Sequence, residues 1–535
     1  MNALQAGPDS SMFRQKLLAM CGIALVAMLV ALDQTVVSTS LPSMVSELNG
    51  FEYYAWIVNG YLLASVGVVP VFGRLGDFFG RKPFIASAIA IFTVASLLCG
   101  LANSMPMLIA ARALQGFGGG MMVGTAYAAV PDLFPDAKSR VRWQVVIVVA
   151  AGLGNALGPT LGGLLTENFG WRSTFLINLP VGLACFYCVY RFLPSSKGQH
   201  GAGEKVKIDI LGAVLITAVL AALQLAVERI PESGFTMSNI VLLGLVFISF
   251  GLFIQCERKA LHPIIPLSLF KNSDLVKMNL LGVVIGFVLF SLLFFTPLLL
   301  QGGFGLSPRE AGLIATPLAA CIAIGSFINT RIVIHLAKPV AILTVGFSLM
   351  TGAAVGLGFA GASTPHWLFV VFLVMAGLGL GFSINNLNVF SQGIAGREYF
   401  GIVTALLQST RMVGGMLGTT LVGTVVSRHY SSNIVNVVQQ PVGGGLGPDM
   451  VAKFSDPQLL VDAAAQTHVS EALQTLSLNP QPLMAAAREL LVTSIHYGMA
   501  LTAACALLAV FITLRLMHVR FKSSEVSANA PSQSH

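Results

Sequence analysis

Two charged side chains stand where charge is expensive. Asp33 falls inside the apolar run 17–41 and Arg112 inside the run 106–130. On insertion scales each costs about 2.5–3.5 kcal/mol at the bilayer centre, so neither is expected to face hydrocarbon. A carboxylate beside a cation keeps its charge, and the same carboxylate with that contact weakened and water excluded takes up a proton. A group that alternates between those surroundings can couple a proton to a conformational change. Their depths are compatible with a pairing. If the first run enters as a helix at residue 17, Asp33 lies about 24 Å along it, and Arg112 lies about 9 Å below the opposite surface on a helix running the other way. In a hydrocarbon core of about 30 Å both fall in the same half.

Other polar groups in apolar runs are Gln34, Gln115, Asn155, Asn385 and Arg411. They are candidate cavity-lining residues, although an Asn in such a run also bonds neighbouring helices routinely. Arg411, about 14 Å from the inner face, is open to three readings: substrate contact, outer gate or helix C-terminus. The chain has no G-x-x-x-x-G-K-[ST] stretch to bind nucleotide, and its polar segments on the inner side are no longer than about two dozen residues. A membrane enzyme would need clustered His, Cys or carboxylates, and Asp33 stands nearly alone. Cys185 and Cys188 form a C-x-x-C inside an apolar helix with no second pair, which reads as packing. The expectation is therefore a non-enzymatic protein with no catalytic residue, no metal and no cofactor, driven by an ion gradient or by the substrate's own gradient.

The elements that must position these groups follow from composition. Of 535 residues 55% are hydrophobic and 10% charged, with a mean hydropathy of +0.81. Soluble domains carry roughly 25% charged residues, so the bilayer is the solvent that suits this surface. The net charge of +8 sits in short loops and presents no face for nucleic acid. Fourteen apolar stretches are long enough to span: 17–41, 54–73, 84–102, 106–130, 143–166, 174–193, 209–228, 238–256, 278–300, 310–330, 340–360, 366–390, 402–426 and 494–517. Long apolar runs of this kind read as helices, because backbone polar groups must be satisfied inside lipid. With the N-terminus inside, 22 Lys and Arg fall on the cytoplasmic side and 6 outside, and Arg112 and Arg411 lie within spans. That split predicts an even number of crossings with both termini cytoplasmic. Residues 1–193 and 278–535 are expected to form two six-helix bundles, with two inserted helices and linkers in 194–277. A long loop at about 427–493 lands outside and predicts one or two amphipathic helices on or near the outer face.

Two glycine patterns have mechanical meaning. In GRLGDFFGRKP (73–83), Gly73 and Gly80 permit a tight turn and close helix approach, and Asp77 and Arg81 are four apart at a helix boundary. In GNALGPTLGG, Gly154, Gly158, Gly162 and Gly163 lay a smooth stripe along one helix face, and Pro159 removes a helical hydrogen bond. A helix built this way can approach its neighbour closely and rock against it.

The loop at Gly73, Leu75, Asp77, Gly80, Arg81 and Lys82 resembles the signature between helices two and three of the major facilitator superfamily. LDQTVVSTSLP (32–42), LIAARALQGFGGG (108–120), the Gly154–Gly163 motif, WRSTFLINLPVG (171–182) and GIVTALLQSTRMVGGMLG (401–418) resemble its fourteen-helix drug:proton antiporters of the EmrB/QacA type. The resemblance implies an all-α membrane protein with two six-helix bundles plus two inserted helices. It implies a proton-coupled exporter of small lipophilic or cationic compounds, a multidrug efflux pump working by alternating access, with Asp33 and Arg112 in proton coupling. An exporter of one metabolite or siderophore on the same fold is the alternative. The partners implied are the small-molecule substrate, the lipid bilayer and, in a Gram-negative cell, a periplasmic adaptor. The second half departs from the pattern: NTRIVIHLAKP (329–339) keeps basic residues but neither the Asp nor the Gly pair.

Overall fold

The computed structural model describes residues 8–126, 129–134, 137–194, 209–233, 236–260, 263, 267–333, 336, 338–361, 363–395, 400–439, 447–455, 457–461, 463–475 and 478–516. Among them there is no strand. Fourteen long helices carry the fold: α1 Pro8–Leu48, α2 Tyr54–Phe79, α3 Arg81–Gly100, α4 Met105–Ala126, α5 Ala137–Phe169, α6 Asn178–Phe192, α7 Ile210–Ser233, α8 Met237–Lys259, α9 Ser273–Leu298, α10 Pro308–Ile332, α11 Ala341–Gly358, α12 His366–Ala395, α13 Phe400–Gln439 and α14 Pro480–Arg515. Each expected span falls on one of them. Ten helical stretches of the described residues are long and apolar enough to cross a bilayer. The other four expected spans lie on α4, α5, α7 and α13.

Local sequence sets the helix ends. Gly80, at φ +86°, separates α2 from α3 by a conformation that side chains avoid. Ser307 and Glu310 form a reciprocal capping box at the start of α10, with Pro308 at the first turn. Asn272 caps α9 by accepting from the Asp274 and Leu275 amides. At its far end α9 runs into a π turn, Leu299–Gly303.

The last six helices repeat the packing of the first six. α5 packs on α1 as α13 packs on α9, and α4 on α2 as α12 on α10. The pairs α3–α4, α1–α6 and α3–α6 recur as α11–α12, α9–α14 and α11–α14. The two sets meet along two seams, α5 against α10 and α2 against α13. The inserted helices α7 and α8 pack on each other, and α7 lies against both helices of the α2–α13 seam.

The segment 427–493 differs from expectation. Only part of it lies apart from the spans. α13 continues to Gln439 and α14 begins at Pro480, so the run PQPLMAAARELL is the first three turns of a spanning helix. Hydropathy ends a span where polar residues begin, but Ala, Leu, Met, Glu and Arg all favour helix and nothing there breaks it. Between the two lie short helices Pro448–Ser455 and Ala463–Thr475. Arg488 of the α14 extension donates to Gly302 O at 3.4 Å and to Gln466 Oε1 at 3.2 Å, tying this region to the π turn.

Candidate functional site

Asp33 on α1 is surrounded by protein. Arg112 Nη1 donates to its Oδ2 at 2.8 Å. Gln115 Nε2 and Asn178 Nδ2 donate to its Oδ1 at 2.7 and 2.8 Å. Both amides also donate to Ser96 Oγ, at 2.7 Å from Gln115 and 3.3 Å from Asn178. Gln115 Oε1 accepts from Arg112 Nη1 at 2.6 Å and from Cys99 Sγ at 3.6 Å. The guanidinium donates from Nε to Ile57 O at 3.3 Å and lies over the Tyr61 ring at 4.7 Å. Asp33 and Arg112 are each 1% exposed, and Gln115, Ser96 and Asn178 are fully buried. Helices α1, α2, α3, α4 and α6 all contribute.

Why the chain folds this way is visible in α4. Arg112 and Gln115 are three apart and so share a helix face. The glycines that follow let α2 come close enough for Tyr61 to cover Arg112. A Cβ at Gly116 would lie 2.7 Å from Tyr61 Cα, and one at Gly119 would strike the Tyr61 hydroxyl. Desolvating two ions costs several kcal/mol each, and only good geometry with further hydrogen bonds returns that cost. The three donors on Asp33 are complementary to an ionised carboxylate. Removing either ion would leave its partner buried and unpaired, at a cost of about 3–5 kcal/mol.

The glycine stripe of α5 seats on the helix that carries Asp33. A Cβ at Gly154 would lie 2.6 Å from Met28 O, one at Gly158 would strike Thr35 Oγ1, and one at Gly162 would strike Val36 O and Thr39 Oγ1. Thr39 Oγ1 donates to Pro159 O at 3.3 Å, and α5 continues unbroken through the proline. The opposite face of α5 meets α10. A Cβ at Gly163 would lie 3.0 Å from Arg309 Cα, and one at Gly312 would strike Pro159 O. One helix therefore links the Asp33 network to the seam between the two sets.

Polar contacts across both seams gather near one face, the one bearing the α1–α2, α5–α6 and α9–α10 connections. Tyr54 Oη donates to Phe294 O at 2.7 Å. Asn59 donates to Thr420 Oγ1 at 2.8 Å and accepts from Thr419 Oγ1 at 2.6 Å. Gln301 Nε2 donates to Thr39 O at 2.8 Å, and the Thr160 and Thr316 hydroxyls are 2.6 Å apart. Glu167 Oε2 accepts from the Arg309 amide at 3.2 Å, at the start of α10. On this side the bundle is sealed.

The structure brings together only some of the residues singled out in the sequence. Gly73, whose Cβ would lie 3.3 Å from Gly124 O, lets α2 close on α4, and Gly80 and Arg81 form the α2–α3 junction. The Asp77 side chain lies outside the described residues. Gln115, read as a cavity residue, is buried and consumed by the Asp33 network. Gln34 is half-buried and reaches the Tyr61 hydroxyl. Asn155 and Asn385 are half-buried, and it is the adjacent Asn386 that donates to Asn329, at 2.7 Å. Arg411 is half-buried and donates to Gln408 on its own helix. Ser96, Asn178, Tyr61 and Asn59 carry much of the geometry without having been singled out. Asn178 alone had a signal, as the Asn of the FLINLP stretch.

The sequence profile of the Major Facilitator Superfamily matches residues 23–419. The chain is 31% identical over 473 residues to the multidrug transporter protein MdtP of Bacillus subtilis, covering 88% of this chain and 83% of that one. It is 27% identical over 504 residues to the multidrug resistance protein Stp of Mycobacterium tuberculosis, covering 94% and 92%. The fold is similar to that of a bacterial homologue of the human lysosomal transporter Spinster, solved inward-facing and unoccupied, with a TM-score of 0.60 and 17% identity over 94% of this chain and 98% of that one. With its helices packed as two repeating sets, its loop signature between α2 and α3 and this profile match over most of its length, the chain belongs to the Major Facilitator Superfamily.

Proposed function

We propose that this chain is a proton-coupled exporter of small lipophilic or cationic compounds, a multidrug efflux pump that works by alternating access. The observation that carries the reading is the Asp33 carboxylate, 1% exposed and held by three donors, one of them a guanidinium. Breadth of substrate rests on the relatives, which are named as multidrug transporters and resistance proteins.

All fourteen long helices cross the inner or plasma membrane, and both termini lie in the cytoplasm. Residues 1–193 and 278–535 move as two bodies, and α7 and α8 of 194–277 stand beside the α2–α13 seam. With the termini inside, the sealed face is the outer one, and the conformation faces inward. Asp33 is then ionised and paired with Arg112, the state that follows proton release to the cytoplasm and precedes substrate capture. When the bundle reopens outward, the pair loosens and a proton from outside neutralises Asp33. Return to the inward state restores the pair and expels the proton inward. A cationic substrate competes with that proton for the carboxylate, and a neutral one acts through shape. The α5 stripe transmits the change, because Gly154, Gly158 and Gly162 touch α1 while Gly163 touches α10.

The test is transport into reconstituted vesicles under an imposed pH gradient, with a panel of lipophilic cations and neutral compounds. Accumulation that collapses when the gradient is dissipated is the expected result. Transport that ignores the gradient would contradict the reading.

A further inference from the structure

One acceptor in the Asp33 network is left over. Asn178 is fully buried, and both hydrogen bonds of its amide leave from Nδ2, to Asp33 Oδ1 at 2.8 Å and to Ser96 Oγ at 3.3 Å. Its Oδ1 has no hydrogen-bond partner. A buried carbonyl oxygen without a donor is costly, so the amide holds an orientation that suits its neighbours at its own expense. That orientation is the one an ionised carboxylate requires, because Asp33 Oδ1 can then only accept.

Protonation of Asp33 reverses the demand. A carboxylic acid has one O–H to donate, and the donors already in place offer it no acceptor: Arg112 has none, and Gln115 Oε1 is taken by Arg112 and Cys99. Ser96 Oγ already accepts from two amides, Gln115 and Asn178. A half-turn of the Asn178 amide puts Oδ1 where Nδ2 now stands. The Asp33 hydroxyl and the Ser96 hydroxyl then both have an acceptor. We propose that Asn178 is a positioning residue that reads the protonation state of Asp33, its amide donating to the carboxylate and turning to accept from the acid.

Resting on the reading of Asp33 as the proton carrier, this adds a partner for the proton once it is bound. The exchange leaves one buried amide group unpaired in either state, so neither orientation is locked. The titratable and charged groups facing Asp33 from the surrounding helices are Arg112 on α4, Tyr61 on α2 and Cys99 on α3. From α6 the Asn178 amide faces it.

The experiment is infrared difference spectroscopy of the purified full-length protein labelled with carbon-13 asparagine and titrated across the pH range of proton uptake. The expected result is one asparagine carbonyl band that moves to lower frequency on acidification, as an unbonded oxygen gains two donors. Its midpoint coincides with that of substrate-induced proton release, and it is absent from Asn178→Leu. Asn178→Asp, which is isosteric, supplies the assignment if the leucine variant is not recovered folded. In Asp33→Asn both the band shift and the proton release disappear. A band that stays fixed while Asp33→Asn abolishes proton release overturns the role of Asn178 and leaves Asp33 standing. Proton release that persists in Asp33→Asn overturns the underlying reading instead.

Discussion

The first and last six helices share a packing plan and differ in what they bury. On both sides a glycine-bearing helix is pressed onto a neighbour: α5 onto α1 through Gly154, Gly158 and Gly162, and α13 onto α9 through Gly414, Gly415 and Gly418. A Cβ at Gly418 would lie 2.6 Å from Phe287 O, and one at Gly414 would strike Val283 O, as one at Gly154 approaches Met28 O. Inside the first set lies a buried ion pair with its amide partners. Inside the second, among the described residues, no charged side chain is buried, and Phe287, Phe290, Phe294 and Phe295 are buried in the second half of α9. The mechanical device is duplicated and the titratable chemistry is not. On the proposed reading, one body handles the proton and the other is an apolar counterpart to rock against.

That contrast can be broken most forcefully at the cation. Arg112→Ala is expected to lower accumulation to the level of empty vesicles and to cost about 3–5 kcal/mol of stability, because Asp33 is left buried and unpaired. Arg112→Lys should keep part of the activity, since it retains charge but loses the planar fork. Arg411→Ala, in the second set, should leave the number of protons moved per substrate unchanged. A larger coupling defect from Arg411→Ala than from Arg112→Lys would place the proton chemistry in the wrong body.

The shared mechanics predict equal damage on the two sides. Gly158→Leu and Gly414→Leu both force a side chain into backbone or a buried hydroxyl, and each is expected to lose about 1–3 kcal/mol or more. Thermal unfolding in detergent should show shifts of similar size. A tolerated leucine at either position would mean that the two seams are not equivalent.

A smaller effect is expected where the two bodies touch. Asn59 bonds both Thr419 and Thr420 across the sealed side. Asn59→Leu should favour opening there by about 1–2 kcal/mol, the worth of two net hydrogen bonds. Cysteine reporters on that face should label roughly 5- to 30-fold faster. Unchanged labelling would remove Asn59 from the seal.

The smallest and sharpest comparison uses two buried serines. Ser96 accepts from Gln115 and Asn178, whereas Ser291 in α9 is fully buried with no partner at its hydroxyl. Ser96→Ala should cost about 1–3 kcal/mol and move the pH of proton release. Ser291→Ala removes an unpaired buried hydroxyl, so it should leave stability unchanged or raise it by up to about 1–3 kcal/mol, and leave that pH alone.

Much of this was legible in the sequence. Asp33 and Arg112 stand out because charge is rare in apolar runs, and the rise per residue is enough to set them at one depth. Gln115 is three residues from Arg112, so its face was readable, but its burial was not. Ser96 and Tyr61 give little signal, because a hydroxyl in a spanning helix usually bonds its own backbone, and Asn178 is marked only by its place in the FLINLP stretch. What makes them a site is the approach of α2, α3 and α6 to α4, and that depends on packing between segments distant in the chain. The ends of α13 and α14 were misplaced for a related reason. Hydropathy marks where lipid stops, while helix continues as long as nothing breaks it.

The most direct measurement is substrate-induced proton release from the detergent-solubilised protein, unmodified and as Asp33→Asn, at several pH values. The account predicts release from the unmodified protein and none from Asp33→Asn, with substrate binding still detectable in both. Equal release from the two proteins would contradict it.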